Sequence, residues 1–335
     1  MKKTRRPGKW DRSPVYPFSL ATFLLIALAV PALAQQQNFD NVEINVLPVQ
    51  NNVYMIVGAG GNITMQVGEQ GILLVDTQFA QLSDKILAAI RKISNKPLRY
   101  VINTHFHADH TGGNENFRKA GSTIAGGNVA GNIRDAGEGA AIVAHETVLN
   151  RLSAPAGAQA AVPFAAWPTD TYVSGQKDIF FNGEAVQVIH QPAAHTDGDS
   201  FVFFRRSDVI SAGDIFVTTG YPYFDVERGG SINGVIRSLN TLIQMAVPAD
   251  KQEGGTMIVP GHGRICDEAD VVEYRDMVTI IRDRIQDLLG KGLTLDQVKA
   301  AKPTRDYDSR YGSAAGPRST DAFVEAIYKS LNTRK

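Results

Sequence analysis

One short segment constrains this chain more than any other. It reads His-Phe-His-Ala-Asp-His and follows the apolar run at residues 100–102, which is typical of a buried strand. Its four potential metal ligands are His105, His107, Asp109 and His110. The whole chain contains only seven histidines, and no requirement of packing or of a turn calls for such a cluster. A loop at the carboxyl end of a strand is also where open α/β sheets carry their functional groups.

The spacing of these residues suits two metal ions. Side chains two positions apart in extended chain point the same way, so His105 and His107 can bind one ion together. Asp109 and His110 lie past the turn and can reach a second ion. The glycine pair at 112–113 then permits a tight turn into a following helix.

The segment resembles the His-x-His-x-Asp-His signature of the metallo-β-lactamase superfamily. That resemblance implies three further ligands in a fixed order, and the chain supplies them as His195, Asp214 and His262. It also implies an α/β fold, the four-layer αββα sandwich of that superfamily, for a domain at 41–265. The tail at 266–335 is predicted to be a C-terminal helical extension packed on the same domain.

The resemblance also implies how the ligands are shared between two ions. The first ion would be bound by His105, His107 and His195, the second by Asp109, His110 and His262, and Asp214 would bridge them. Nitrogen and carboxylate ligands without a thiolate suit Zn²⁺, and they also suit Mn²⁺ or iron. Two such cations would lower the pKa of a shared water from ~15.7 towards ~7, so that a metal-bound hydroxide is the nucleophile. Asp109 can orient this hydroxide and relay its proton as a catalytic residue.

Three more residues are candidates for supporting the site or the substrate. Asp76 follows a predicted strand, where it can accept a hydrogen bond from a ligating histidine or cap the helix predicted at 80–93. Tyr221 and Tyr223 follow the bridging ligand Asp214 closely, and either hydroxyl can donate to a developing oxyanion. The sequence does not distinguish between the two tyrosines.

The ligand set favours a hydrolase of small molecules. An aspartate at position 214 is typical of hydroxyacylglutathione hydrolases and lactonases, which predicts cleavage of an ester, lactone, thioester or lactam. One alternative is an antibiotic-hydrolysing metallo-β-lactamase, and another is an iron-dependent oxygenase similar to persulfide dioxygenases. A non-catalytic metal-binding protein is a third possibility. The sequence does not indicate an oligomeric state.

The amino terminus predicts export. Residues 1–34 contain a basic segment, an apolar core and the small-x-small sequence that ends at Ala34, so we expect a signal peptide cut after Ala34. The mature protein would then be periplasmic or secreted, with no stable membrane association. Because this segment holds six basic side chains and one acidic one in a chain of zero net charge, the remainder is mildly acidic. That balance disfavours nucleic acid as a partner.

The remaining pattern predicts two halves of similar outline. Short β-rich runs from Val42 to Val75 predict an antiparallel meander, followed by an amphipathic helix at 80–93. Further strands are predicted at 122–125, 140–144, 179–182, 185–190, 201–204, 209–211 and 256–259. Further helices are predicted at 231–246, 271–289, 295–301 and 321–331.

Three smaller features complete the predictions. The glycine-rich turn at 58–61 is either the flap that the resemblance implies or a plain hairpin turn. Residues 152–170 fit no element, and in this surface loop Phe164 and Trp167 either line a cleft or pack down. Cys266 is the only cysteine, so no internal disulfide can form.

Overall fold

Two β-sheets organise the part of the chain that the computed structural model describes, namely residues 38–123, 139–154, 162–316 and 318–332. Within these ranges the strands are β1 Asn45–Gln50, β2 Val53–Val57, β3 Ile63–Gly68, β4 Gly71–Val75, β5 Leu98–Ile102, β6 Ala141–His145, β7 Asp170–Tyr172, β8 Gln176–Phe181, β9 Glu184–His190, β10 Ser200–Phe204, β11 Val209–Gly213 and β12 Met257–Pro260. The first sheet has the order β1-β2-β3-β4-β5-β6-β7, and the second has the order β12-β11-β10-β9-β8.

Each sheet changes from antiparallel to parallel pairing. Strands β1 to β4 form the predicted antiparallel meander, while β4 to β7 pair in parallel. In the second sheet only β11 and β12 pair in parallel. Parallel neighbours end at the same edge of a sheet. The loops that follow β4 and β5, and those that follow β11 and β12, therefore lie at shared edges.

The helices within the described ranges cover the outer faces of the two sheets. They are α1 Ser83–Ile93, α2 Ala108–Thr111, α3 Asn114–Ala120, α4 Glu146–Ser153, α5 Ile232–Met245, α6 Glu268–Gly290, α7 Leu295–Ala300, α8 Asp308–Tyr311 and α9 Thr320–Asn332. The tail begins with a capping box, in which Asp267 accepts from the backbone of Asp270 and Asp270 accepts from that of Asp267.

Alternating side chains divide the interior into layers. On β4, Leu73 and Val75 pack between the two sheets, whereas Ile72 and Leu74 pack beneath α1 and α3. The same period of two on β10 sends Val202 towards the first sheet and its neighbours towards α5 and α6. The predicted four-layer αββα sandwich with C-terminal helices is confirmed.

Some local predictions are corrected. A short 3-10 helix at Phe164–Ala166 lies within 152–170, where the sequence predicted no element, and strand β7 begins at the last residue of that segment. The predicted strand at 122–125 is described only at its start, where Ser122 forms an isolated bridge with Gly139; its last two residues fall outside the described ranges. The predicted signal peptide also lies outside them. Among the described residues, none of the helices combines the length and apolar character needed to cross a membrane.

Candidate metal centre

All seven predicted ligands converge at one edge of the sandwich, because each follows the carboxyl end of a strand. The strand–ligand pairs are β5 with His105, His107, Asp109 and His110, β9 with His195, β11 with Asp214, and β12 with His262. Asp109 and His110 lie on the short helix α2, and the ring of His110 lies 4.2 Å from that of His105. This placement is the one that parallel strand ends favour for functional groups.

The first group of ligand atoms comes from three histidines. His105, His107 and His195 each offer one ring nitrogen, and these atoms lie within 4.8 Å of one another. Nε2 of His195 lies 2.9 Å from Nδ1 of His107. Burial lowers the pKa of His195 to about 4 and that of His105 well below its ordinary value, and the neighbouring imidazoles lower that of His105 further. These two rings are therefore neutral at neutral pH and present lone pairs to a shared cation.

The second group combines a carboxylate with two imidazoles. Asp109, His110 and His262 offer atoms within 4.8 Å of one another, and Oδ2 of Asp109 lies 3.2 Å from Nε2 of His262. Burial raises the pKa of Asp109, but the two imidazoles outweigh that effect and lower the pKa to about 2. Asp109 is therefore a carboxylate at neutral pH, as a metal ligand must be.

Asp214 lies between the two groups. Its Oδ1 lies 3.1 Å from Nε2 of His110 and 3.4 Å from Nε2 of His262. Its Oδ2 faces the first group, 3.9 Å from Nε2 of His195. One oxygen therefore faces each group, which is the arrangement that a bridging ligand requires.

Unpartnered polar atoms show that the residues fit a metal. Buried polar atoms are normally hydrogen-bonded, since leaving one unpaired costs ~1 to 3 kcal/mol. Among the described residues, seven buried side-chain atoms have no hydrogen-bond partner. Four of them belong to the centre, namely Nε2 of His105, Nε2 of His110, Nε2 of His262 and Oδ1 of Asp214. Bound cations would give all four a partner.

Asp76 also offers an oxygen within 4.8 Å of ligand atoms of His105 and His110, but its hydrogen bonds favour a role in supporting the centre rather than in binding metal. Its Oδ2 accepts from Nδ1 of His110 at 2.7 Å and from the hydroxyl of Thr104 at 2.7 Å, while its Oδ1 accepts from the backbone of Thr104. The bond to Nδ1 directs Nε2 of His110 towards Asp109 and Asp214. Burial opposes a charge on His110, but Asp214 and Asp76 outweigh burial and raise the pKa of His110 well above its usual value. Asp76 does not cap α1, because it forms none of that helix's capping hydrogen bonds.

Two groups orient the first set of histidines. The carbonyl of Tyr223 accepts from Nδ1 of His195 at 2.7 Å, and the Tyr223 ring lies 5.7 Å from that of His195. The other ring nitrogen of His107, Nε2, lies 3.8 Å from Oδ2 of Asp225. Asp225 is fixed in turn by a 3.0 Å ion pair with Arg228. The segment that carries both residues follows Asp214 closely, and sequence reasoning gave a role to Tyr223 but none to Asp225.

The turn at 58–61 is fastened to the centre. Gly61 donates to the backbone carbonyl of Asp109, and the next residue, Asn62, donates through its backbone to Gly261. The Asn62 side chain, which is buried, donates to Pro260 at 2.9 Å and to Gly263 at 3.1 Å. These bonds connect the turn to the loop that carries His262. The turn is therefore a fixed wall of the site in this structure.

Tyr221 does not face the centre, which corrects its candidacy. Its hydroxyl donates to Oδ1 of Asp308 at 2.9 Å, and its ring stacks on Phe323. The side chain is fully buried in the core beneath the tail. A phenol that already donates its proton to a carboxylate is not available to a substrate oxyanion.

The two aromatic residues of the loop at 152–170 differ in burial. Nε1 of Trp167 donates to the carbonyl of Val162, and the indole packs against the small core cluster on which Phe106, the residue between His105 and His107, also packs. Phe164 is 74% exposed. Trp167 therefore packs down behind the ligand loop, while Phe164 stays at the surface.

An arginine from the tail reaches the centre, and sequence reasoning missed it. Nη2 of Arg318, which lies just before α9, donates to Oδ2 of Asp214 at 2.8 Å. The two residues are 104 positions apart. No local pattern in the sequence signals a contact of this kind.

Comparison with known proteins agrees with this geometry. The family model described as metallo-beta-lactamase superfamily matches residues 47–262. The linear primary-alkylsulfatase of Pseudomonas sp. is 26% identical over 258 residues, which is 68% of this chain and 47% of the alkylsulfatase. The chain thus spans about half the length of this curated relative.

Two solved structures illustrate the shared fold. The stereoselective inverting sec-alkylsulfatase of Pseudomonas sp. superposes with a TM-score of 0.59 at 15% identity, covering 87% of this chain and 51% of that one. The metallo-beta-lactamase of Pontibacter korlensis superposes with a TM-score of 0.52 at 15% identity, covering 71% and 99%. Identities this low are informative about the fold alone.

Proposed function

The chain belongs to the metallo-beta-lactamase superfamily, and from that premise we propose that it is an exported, zinc-dependent hydrolase that binds two metal ions. Its substrate is a small molecule with an ester, lactone, thioester or lactam bond. The alkylsulfatase relative adds the sulfate ester to this set.

One observation carries the proposal. Two groups of ligand atoms flank Asp214, and the buried nitrogens that face it have no hydrogen-bond partner among the described residues. A single ion at the first group would leave Nε2 of His110 and Nε2 of His262 unpaired. Two ions satisfy both groups, and for this reason we propose two.

The donor set supports zinc without requiring it. Five imidazoles and two carboxylates suit Zn²⁺, while Mn²⁺ or iron remain chemically suitable. Two such cations would lower the pKa of a shared water and polarise the bond to be cleaved. An oxygenase similar to persulfide dioxygenases would need one iron, which makes no use of the second group.

Asp109 is the residue that we propose to act on the water. Its side chain is 28% exposed at the mouth of the site. A carboxylate with a pKa of about 2 accepts a hydrogen bond readily but is a weak base at neutral pH. Asp109 therefore orients the water and passes its proton on, and the leaving group or solvent finally takes that proton.

The first test combines metal analysis with a rate screen. The mature protein would be analysed for metals and assayed on a lactone, a thioester, a sulfate ester and a chromogenic cephalosporin. We expect about two zinc ions per chain and one preferred electrophile. One iron per chain with no hydrolysis would instead support the oxygenase. Preferred turnover of the cephalosporin would support the antibiotic-hydrolysing alternative.

Variants of the ligands test the assignment of residues. His107→Ala and Asp214→Ala should abolish hydrolysis and lower the metal content. The matched control is His190→Gln, because His190 stacks on His145 and bonds to the carbonyl of Asp197, away from the ligands. Full activity in both ligand variants would refute the assignment.

Export is proposed on the amino-terminal pattern alone. A basic segment, an apolar core and a small-x-small sequence end at Ala34. Mass spectrometry of the protein recovered from the periplasm or medium should find Gln35 as the first residue. Recovery of the full-length chain in the cytoplasm would contradict this part of the proposal.

A further inference from the structure

The guanidinium of Arg318 lies at the rim of the candidate metal centre. It is 30% exposed, while Asp214, its partner, is 4% exposed. The arginine therefore reaches from the solvent side towards the floor of the site. A substrate group that binds beside Asp214 would lie close to this arginine.

Most of the hydrogen-bonding capacity of Arg318 is unused. A guanidinium has five N–H donors in a planar fork, and the one hydrogen bond that it forms with the described residues goes to Asp214. By contrast, Arg228, Arg264 and Arg310 are paired with Asp225, Asp270 and Glu273, none of which is a proposed metal ligand. Arg318 shares its carboxylate with the proposed ligand histidines, which compete for the same charge.

The charge on Arg318 is therefore uncompensated once metal is bound. Cations next to Asp214 would take up the negative charge of that carboxylate and weaken its attraction for the arginine. Two tyrosines, Tyr223 and Tyr274, are close enough for Arg318 to lower their pKa, although burial raises the pKa of each overall. A cation with free donors and a phenol at the opening form a binding surface for an oxyanion.

We propose that the substrate is an anion, bound through a carboxylate or sulfate group by Arg318 next to the bond that is cleaved. This inference rests on the proposed function, because it names the substrate class of the same site. Arg318 is a specificity residue in this account. It contributes to substrate binding and is not itself a proposed metal ligand.

A purely structural role would predict something different. If Arg318 only anchored the tail through Asp214, its removal would destabilise the fold and impair all substrates equally. Arg318→Gln removes the charge, while Arg318→Lys keeps the charge but loses the planar fork. Arg305→Gln is the matched control, because Arg305 is an exposed arginine of the same tail.

The kinetic test uses the full-length mature protein loaded with zinc and two matched esters, mono-4-nitrophenyl succinate and 4-nitrophenyl butyrate. A charge-assisted hydrogen bond has an effect of about 10- to 100-fold. We therefore expect Arg318→Gln to raise KM for the anionic ester at least about tenfold more than KM for the neutral ester, because any effect transmitted through Asp214 lowers turnover of both esters alike. The KM of Arg318→Lys for the anionic ester should fall between those of the unmodified protein and Arg318→Gln. The KM of Arg305→Gln should match that of the unmodified protein. Equal losses on both esters, or none, would overturn the inference.

A binding experiment separates this inference from the proposed function. Titration calorimetry of the zinc-loaded protein with succinate and with inorganic sulfate needs no turnover. Weaker binding of either anion to Arg318→Gln supports the inference. The anion whose affinity falls more indicates whether the substrate group is a carboxylate or a sulfate. Equal binding to both proteins overturns the inference, even if hydrolysis is observed. Absence of hydrolysis with a clear difference in binding would refute only the proposed function.

Discussion

Gly61 lies directly against the ring of His110. A β carbon at position 61 would approach Cε1 of His110 to 2.2 Å and Nε2 to 2.4 Å. His110 is fully buried and fixed by Asp76, so its ring cannot move aside without breaking that hydrogen bond. The backbone of the turn therefore occupies the space that a side chain would need, and it limits where the ligand nitrogen can point.

Gly61→Ala should consequently damage the second group of ligands and spare the first. We expect loss of the metal bound with Asp109 and His262, and retention of the metal bound by the three histidines of the first group. Metal analysis of the purified variant measures this directly. Gly175→Ala is the control, because a β carbon there meets no atom within 4 Å. Unchanged metal content in Gly61→Ala would show that a side chain at position 61 does not disturb the ring of His110.

Asn62→Ala should loosen the loop that carries His262. It removes two buried side-chain hydrogen bonds and leaves the carbonyls of Pro260 and Gly263 without that donor. At ~1 kcal/mol for each bond, we expect a loss of roughly 2 kcal/mol in the free energy of unfolding. Urea unfolding of the metal-free protein isolates this effect from metal binding. A midpoint identical to that of the unmodified protein would show that the bonds contribute nothing.

Asp76→Asn should weaken metal binding while preserving the fold. Asp76 has a φ of 66°, a left-handed conformation that asparagine tolerates and alanine does not. A single amide oxygen cannot accept from both groups of Thr104 and from His110 at once, so His110 loses its fixed orientation. Changes of this kind typically cost about 10- to 100-fold in metal affinity. Competition with a chromophoric chelator measures the metal affinity of the variant. An unchanged affinity would argue against a role of Asp76 in orienting His110.

The first four residues of the candidate site and the layers were predictable because both leave local patterns, whereas His195, Asp214 and His262 were found through the family resemblance. His105, His107, Asp109 and His110 lie within one short segment, and strand residues such as Leu73 and Leu74 alternate between two faces. A metal-binding motif and the alternation of a strand are both formed by residues that are close together in the sequence. Such signals survive in a single chain without any knowledge of its tertiary contacts.

Asp76 and Tyr223 were predicted beside the ligands, but other groups around them were not predictable, for the opposite reason. Arg318 and Asn62 act on partners far away in the sequence, and nothing nearby marks them. Tyr221 is the opposite case, a residue that was predicted at the site but does not face it. It follows the bridging ligand closely, yet its side chain turns into the core against Phe323, because proximity in sequence does not fix the direction of a side chain.

Removal of metal should destabilise the whole protein. Four unpaired polar atoms at the centre would be left buried in the native state, and cations that bind only the folded chain stabilise it by mass action. At a free zinc concentration 100 times the dissociation constant, each site contributes about 2.7 kcal/mol. Calorimetry with and without a chelator should therefore show a clear fall in Tm. Equal Tm values for protein samples that differ in measured zinc would contradict this.

Cys266 offers a probe of the loop that carries His262. Its backbone pairs with Ile258 on the other side of that loop, and its thiol is buried. Burial, and after it the charge of Asp270, raises the pKa of the Cys266 thiol to about 12. Because the thiolate is the reactive form, only about one molecule in 10,000 is reactive at pH 8.

We therefore expect iodoacetamide to modify the native protein very slowly and the urea-unfolded protein rapidly, since unfolding returns the thiol to its ordinary pKa of ~8.5. If His262 binds metal, loading with zinc should slow the native reaction further, because the loop must open before Cys266 is exposed. Mass spectrometry of alkylation over time measures both rates. Rapid modification of the native, zinc-loaded protein would show that Cys266 is accessible and that the loop is open in solution.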